Sequence, residues 1–275
     1  MRFPVLVLTV LLAAAATAGA QTTPAGAAPT TPAAAVQSAK LDAYLLRWEQ
    51  EMRKVQTLAA ALARIDKDKS FGTTTKYSGV AQYMKSGSGP TTMNLALLEM
   101  KQEGKTDLAE KFVCTGTYLY QFLPAQKEIR AYEIPKPKPG QVADDSFLGF
   151  LFGMKAEEAK RRYNLSLAKE DNWYIYVDIV ARSAADRADF ARARLVLNKD
   201  SFLPRQLWFE HANGNEIIWD IPRLQSGVAI DRRLFDAPKV PQGWKFQAVN
   251  RATGGTDAAP SPDARPRVIR SNPDR

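Results

Sequence analysis

The chain has 275 residues, of which 38 are Lys or Arg and 29 are Asp or Glu, so its formal net charge is +9. Its one cysteine, Cys114, excludes an intrachain disulfide, and the fold must depend on its own apolar core. With a single histidine, His211, the chain also has too few ligands for a typical zinc site. The basic residues are scattered and lack the aromatic pattern of a nucleic-acid module, so no nucleic-acid partner is expected.

The first twenty residues have the pattern of a cleavable signal peptide. Residues 1–3 give a short basic start, residues 5–16 are uncharged and mostly apolar, and residues 18–20 are small, as a signal peptidase requires. We therefore predict cleavage after Ala20 and a periplasmic or secreted protein. An uncleaved N-terminal anchor is the alternative. Because no cysteine follows the apolar run, no lipid anchor is expected.

Composition divides the remainder into three parts. Residues 21–37 are rich in Ala, Pro and Thr and carry no charge, which predicts a flexible, disordered linker. Residues 251–275 contain Gly, Pro, Asp and Arg with few apolar residues, which predicts a disordered tail. Residues 38–250 are long enough for one domain with a substantial core.

The domain begins with a helical pattern and continues with strands. Apolar residues recur at steps of three and four from Leu41 to Ile65, which predicts one long amphipathic helix with Ser38 as its N-cap. Short segments rich in β-branched and aromatic residues follow, separated by polar turns such as residues 86–90 and 213–215. The fold class predicted is α+β, mainly antiparallel, with about 10–11 strands.

Two features call for more burial than an ordinary exposed sheet offers. Segments 118–123 and 173–179 are apolar on both faces, and residues 147–154 are apolar all round. A half-open barrel with helices on its concave side would bury this excess, and a closed sandwich is the alternative. Residues 147–154 are then either a core helix or a lid over a cavity.

Motifs that carry catalytic chemistry are absent from the sequence. It has neither a G-x-S-x-G elbow nor a glycine loop that cradles phosphate. Residues 66–70 mimic the start of a calcium loop, but Phe71 replaces the required glycine and Tyr77 replaces the bidentate glutamate. No cofactor or metal is therefore expected, and a hydrolase is the least favoured of the functions considered.

The order of several segments resembles that of LolA-type outer-membrane lipoprotein carriers. Residues 113–124 and 126–134 resemble an early hairpin of that family, 146–154 its apolar lid helix, 190–208 its late hairpin and 235–244 its closing segment. The resemblance implies an incomplete antiparallel barrel, closed by helices, whose apolar cavity shelters acyl chains. The family's lid-control arginine has no counterpart in residues 85–94, so no such role is carried over.

We therefore expect a soluble exported carrier or sensor, monomeric, that binds an acylated or apolar ligand such as a lipid or lipoprotein acyl chains. The alternative is a non-catalytic envelope protein with the same fold, a filled core and a protein partner. The predicted ligand-binding residues are Trp48 and Met52 from the long helix, Phe147, Leu148, Phe150, Leu151, Phe152 and Met154 from the apolar segment, and Tyr118, Tyr120 and Trp173 from the sheet.

Overall fold

The computed structural model describes residues 32–88, 92–134 and 155–249. Its helices are α1 (Pro32–Lys54), α2 (Ala156–Arg162) and α3 (Ala184–Asp189), and short 3-10 turns occupy Pro124–Gln126 and Arg232–Phe235. The strands are β1 (Thr57–Asp68), β2 (Thr73–Ser86), β3 (Met93–Gln102), β4 (Leu108–Cys114), β5 (Tyr118–Leu123), β6 (Glu128–Glu133), β7 (Tyr163–Glu170), β8 (Tyr174–Ala181), β9 (Arg192–Asn198), β10 (Pro204–Glu210), β11 (Glu216–Ser226) and β12 (Lys245–Val249).

All of these strands belong to one open sheet in the order β12-β6-β5-β4-β3-β2-β1-β11-β10-β9-β8-β7. Neighbours are antiparallel, except that β12 runs parallel to β6. The sheet does not close, because β7 and β12 lie at its two edges. The predicted class, a mainly antiparallel α+β incomplete barrel, is confirmed.

The prediction of a helix as far as Ile65 is wrong. Helix α1 ends at Lys54, and the following twelve residues form β1, which lies between β2 and β11. The Ala-rich segment 57–68 has a high helix propensity, but ladders on both sides satisfy its backbone groups and override that preference. This extra strand brings the number in the described residues to twelve, against the predicted 10–11.

Helix α1 covers one face of the sheet. Its buried residues Leu41, Leu45, Trp48 and Met52 recur at steps of three and four, so they form a single stripe. The helix starts at Pro32, earlier than the predicted N-cap at Ser38, and proline suits the first turn because that turn lacks backbone acceptors. At its other end, Lys85 Nζ donates to the carbonyl oxygen of Arg53 at 2.9 Å, which satisfies one terminal carbonyl.

The sheet carries an apolar cluster on each face. We call the face under α1 the inner face and the opposite one the outer face. The inner cluster joins the stripe of α1 to buried residues of β7–β11, among them Val177, Leu195 and Trp219. Leu98 packs against this cluster, whereas its neighbour Leu97 belongs to a second cluster. Because successive strand residues face opposite sides, the second cluster lies on the outer face.

The outer cluster is covered by the segment between the last two strands. This strap, residues 227–244, contributes Ile230, Phe235 and Trp244 to the cluster. The Trp244 ring lies 6.3 Å from that of Phe122 on β5, edge to face. The strap therefore shields the outer face of β3–β6, and β12 then adds to the free side of β6.

A close approach between two strands depends on Gly79. This residue pairs with Leu62 on one side and with Met100 on the other. A Cβ atom at position 79 would overlap both Sδ of Met100 and the carbonyl oxygen of Glu99. Met100 is fully buried, so its side chain has little room to move away.

We expect Gly79→Ala to lower the free energy of unfolding by about 1–3 kcal/mol, the usual cost of overpacking a core. Denaturant unfolding measures this change. Ser78→Ala, an exposed neighbour, is the matched control and should change stability by less than about 0.5 kcal/mol. Equal stability of the two variants would contradict the packing described.

An ion-pair cluster ties the β10–β11 hairpin to the end of β1. Glu216 lies 3.1 Å from Lys67 Nζ and 3.0 Å from Lys69 Nζ. Hydrogen bonds from Lys69 and Lys67 lower the pKa of Glu216 to about 2. Because this pKa is depressed by folding, the contribution of Glu216 to stability is present above its ordinary pKa and is lost as the pH falls through the lowered value.

We expect Glu216→Gln to reduce the acid sensitivity of the fold. The melting temperature of the parent should fall between about pH 5 and about pH 2.5, and that of the variant should fall less, because it lacks the depressed carboxyl. Glu103→Gln is the control, since Glu103 is exposed and lies 3.9 Å from Lys76. Parallel pH profiles for parent and Glu216→Gln would refute the assignment.

Candidate functional site

Two of the predicted ligand-binding residues lie together under the helix. Trp48 and Met52 are 1% and 4% exposed and belong to the inner cluster. Both lie on the stripe of α1 that faces the sheet, one turn apart. The prediction that this helix directs them toward a larger apolar surface agrees with their position.

The three residues predicted from the sheet lie elsewhere. Tyr120 belongs to the outer cluster, and Tyr118, two residues earlier on the same face, lies with its ring 6.0 Å from that of Tyr120. Trp173 precedes β8 in the turn after β7 and is 68% exposed. The alternation of β5 thus directs both tyrosines away from α1, and the structure does not bring these three residues together with Trp48 and Met52.

The remaining predicted residues, Phe147, Leu148, Phe150, Leu151, Phe152 and Met154, lie outside the described residues. Helix α2, which begins directly after Lys155, packs beside α1. The backbone N–H of Ala156 donates to Glu49 Oε2 at 2.9 Å, and Lys160 pairs with Asp42 at 3.2 Å. These contacts place α2 antiparallel to α1.

The inner face of β3–β6 presents a row of apolar side chains that are only half-buried. Leu98 packs against the inner cluster and pairs with Phe112 on β4, so Phe112 also lies on the inner face. Cys114, two residues after Phe112, pairs with Leu119 on β5, which places Leu119 on the same face. Tyr132 on β6 pairs with Leu119, and Leu123 is four residues after Leu119 on β5, so both also lie on the inner face. We call Leu98, Phe112, Leu119, Leu123 and Tyr132 the inner apolar strip. The strap packs on the outer face, so the inner apolar strip is not part of the apolar cluster that the strap covers.

A buried arginine lies at the centre of the inner face. Arg64 on β1 is 1% exposed, and its Nη1 and Nη2 donate to the two carboxylate oxygens of Glu110 at 2.8 and 2.7 Å. Its Nε lies 2.9 Å from Asp66 Oδ1. The guanidinium lies 4.3 Å from the ring centre of Tyr77 and 5.1 Å from that of Trp219. The bidentate hydrogen bonds to Glu110, the ion pair with Asp66 and the two aromatic rings together compensate the guanidinium for its lost hydration.

The Arg64–Glu110 pair spans three strand spacings, from β1 across β2 and β3 to β4. At roughly 4.8 Å per spacing, the separation along the sheet is about 14 Å, close to the combined reach of the two side chains. The pair therefore favours a sheet that curves toward the inner face. Burial raises the pKa of the Tyr77 hydroxyl, and the nearby Asp66 carboxylate raises it further, so Tyr77 remains a neutral partner of the cation.

Arg64 is not among the residues predicted from the sequence, because the predicted helix extends to Ile65 and includes it. The available signal was the alternation of Leu58, Leu62, Arg64 and Asp66 at even positions, which is typical of a strand face. The same alternation identifies Arg64 and Asp66 as neighbours on one side.

Polar contacts along its length hold α1 on the sheet. Gln37 Nε2 donates to the carbonyl oxygen of Leu167 at 3.0 Å, on the edge strand β7. Tyr44 and Lys40 both donate to the carboxylate of Glu170, and these hydrogen bonds, that from Lys40 first, lower the pKa of Glu170. The helix is thus fixed by specific contacts at its first half, beside α2, and at its last turn.

Across residues 32–88, 92–134 and 155–249, no group of three or more His, Cys, Asp or Glu side chains is placed to hold a metal ion. Over the same ranges, none of the helices combines the length and apolarity needed to cross a bilayer.

The sequence matches no family model and no curated protein. Solved structures with a similar fold include a DUF1329 family protein from Desulfovibrio piger, 12% identical, with a TM-score of 0.42 over 73% of this chain and 97% of that one. An outer membrane lipoprotein-sorting protein domain from Vibrio parahaemolyticus is 12% identical, with a TM-score of 0.38 over 70% and 95% of the two chains. A LolA superfamily protein from Nitrosomonas europaea is 9% identical, with a TM-score of 0.34 over 71% and 97%.

Proteins of the LolA type, which the sequence resembles, thus also occur among the structural matches. The likeness is one of fold.

We expect Arg64→Met to lower the free energy of unfolding by about 3–5 kcal/mol, because it leaves Glu110 and Asp66 without their cation on a buried face. The double variant Arg64→Met, Glu110→Leu should recover part of this loss. Arg192→Met is the control, since Arg192 pairs with Glu210 on the exposed surface and its loss should cost less than about 1 kcal/mol. Urea unfolding distinguishes them, and similar values for Arg64→Met and Arg192→Met would contradict a central role.

Proposed function

We propose that the chain is an exported carrier or sensor that shelters an acylated or otherwise apolar ligand between its helices and the inner face of the sheet. The observation that carries the proposal is the inner apolar strip. Its five residues lie on the face toward α1, are half-buried, and stand apart from the core that the strap forms on the other side. An apolar surface in this position gains free energy when an apolar ligand covers it.

The energetics favour a ligand with a long hydrocarbon chain. Each methylene group removed from water contributes about 0.8 kcal/mol, so ten or more give ample affinity without polar recognition. Met52 at the helix and Met100 at the sheet belong to the same apolar cluster, and unbranched methionine side chains adapt to ligands of variable shape. Trp48 and Met52 are therefore proposed as contacts of the ligand.

Further contacts are proposed from the sequence alone. The apolar residues Phe147, Leu148, Phe150, Leu151, Phe152 and Met154 have the composition of a segment that covers such a ligand. The proposed location, the periplasm or the medium, depends on cleavage after Ala20. Lipid or lipoprotein acyl chains are the proposed partners, and the protein is proposed to act without catalysis.

We expect lipid to co-purify with the protein after native extraction and to be detected by mass spectrometry. Delipidated protein should take up diphenylhexatriene, an apolar fluorophore, and Phe112→Ser and Leu119→Ser should each weaken this uptake. Phe246→Ser is the matched control, because Phe246 is exposed on the edge strand β12. Absence of both lipid and fluorophore uptake would refute the carrier and would favour an envelope protein with a filled core and a protein partner.

A further inference from the structure

A second arginine on the inner face has donors to spare. Arg130 lies on β6 between Ile129 and Ala131, which belong to the outer cluster, so alternation directs Arg130 to the inner face. Its Nε donates to Glu128 Oε1 at 2.6 Å, and 23% of its side chain is exposed. This bond uses one of the five N–H donors of the guanidinium, and no second carboxylate among the described residues pairs with it.

Another donor lies directly opposite Arg130. Gln121 on β5 pairs with Arg130, and residues opposed in this way have Cβ atoms about 5 Å apart. The side-chain oxygen of Gln121 accepts from the Tyr132 hydroxyl at 3.2 Å, whereas its Nε2 donates to no acceptor in the described part of the chain. Arg130 and Gln121 therefore present N–H groups side by side on the inner face.

These donors stand at one end of a row of paired residues that crosses the strands. Leu98 on β3 pairs with Phe112 on β4, and both belong to the inner apolar strip. Phe112 pairs in turn with Gln121, the partner of Arg130. At roughly 4.8 Å per strand spacing, the row is about 14 Å long. It is apolar at one end and polar and positively charged at the other, which matches an amphiphile that lies across the strands.

The charges around Arg130 leave a positive excess. Glu128 is its ion-pair partner, and Lys245 on β12 pairs with Glu128 across the strands. The two other charged residues of β6 and of the turn before it, Glu133 and Lys127, are exposed and opposite in sign. Positive groups thus exceed negative ones by one, and an anion placed beside Arg130 is attracted.

Two further carboxylates of the inner face are engaged by Arg64. Both oxygens of Glu110, which lies two strands away from β6, accept from the Arg64 guanidinium, and Asp66 lies 2.9 Å from its Nε. Arg64 therefore has its acceptors within the fold, whereas Arg130 keeps donors for a further one. Of these two arginines, Arg130 is the one suited to bind an anion from outside the chain.

We propose that Arg130 and Gln121 bind the anionic head group, a carboxylate or a phosphate, of an amphiphile whose acyl chain covers Leu98 and Phe112. A guanidinium binds either anion through two parallel N–H bonds, and the amide of Gln121 adds a further donor. This inference rests on the proposed function, since it names the head group and the direction of the ligand that the inner face shelters.

The test is displacement of bound diphenylhexatriene by dodecanoate, dodecyl phosphate and the neutral methyl dodecanoate. Arg130→Met should lower the affinity for the anions by about tenfold or more, which corresponds to the loss of hydrogen bonds to a charged group. It should change the affinity for methyl dodecanoate by less than about threefold. A loss for one anion alone assigns the head group to that anion.

The ion-pair partner provides a change in the opposite direction. Glu128→Gln removes a negative charge and a competing acceptor, so it should strengthen binding of the anions and leave methyl dodecanoate unchanged. The double variant Arg130→Met, Glu128→Gln should still bind the anions more weakly than the parent does. A role of the Arg130–Glu128 pair in stability alone predicts neither result.

Arg194→Met is the matched control, because Arg194 on the outer face donates through its Nε to Asp178 as Arg130 does to Glu128. It should leave all three affinities unchanged. If Arg130→Met does not fold, the Nε–H resonance of Arg130 in the parent provides a second measurement. This resonance should shift with dodecanoate or dodecyl phosphate, but not with methyl dodecanoate or with acetate and inorganic phosphate, which lack the chain.

The outcomes separate the two proposals. If the parent takes up neither diphenylhexatriene nor any of the three ligands, the carrier function and the head-group site are both refuted. If the fluorophore binds but Arg130→Met weakens the three ligands equally or not at all, and the Arg130 resonance does not respond to the anions, the head-group site alone is refuted. A response to acetate or inorganic phosphate equal to that to the dodecyl anions would also overturn it, in favour of a site for free anions.

Discussion

Arg64 lies buried on an apolar face, and its cost in lost hydration is offset only while Glu110, Asp66, Tyr77 and Trp219 stay in place. These partners come from β1, β2, β4 and β11, so one guanidinium fixes the relative positions of strands from both halves of the sheet. Apolar contacts in the inner cluster tolerate small shifts, whereas bidentate hydrogen bonds do not. The shape of the inner face is therefore set largely at this point.

The two halves of the sheet are covered on opposite sides. Over β7–β11 the helices bury the inner face, and the outer face carries exposed or half-exposed ion pairs such as Arg194–Asp178 and Arg192–Glu210. Over β3–β6 the strap buries the outer face, and the inner apolar strip stays half-buried. An antiparallel sheet can be stable with one face packed against a core and the other face open. Over β3–β6 the strap provides this packing on the outer face, so the fold does not require the inner face there to be covered.

Strand positions could be predicted well from the sequence, since period-two alternation and polar turns such as residues 213–215 are local signals. Segment 57–68 could not, because its alanines favour a helix and only pairing with β11, distant in the chain, makes it a strand. For the candidate site, Trp48 and Met52 followed from helical periodicity. Which face Tyr118 and Tyr120 occupy could not be predicted, because alternation separates two faces without saying which one the helix covers. Arg64 could not be predicted because its strand was not.

The strand order has a consequence for how the chain folds. Strands β1–β6 form one meander and β7–β11 another, in which every pairing joins consecutive strands. The two are joined where β1 meets β11, and there Leu58 pairs with Ser226, across most of the domain. Each meander has local contacts and can form early, whereas joining them closes a long loop and is entropically slow. Until that joint forms, β1 and β11 are unpaired edges, so the step that assembles the Arg64 cluster is also the one at which the nascent sheet is most exposed to self-association.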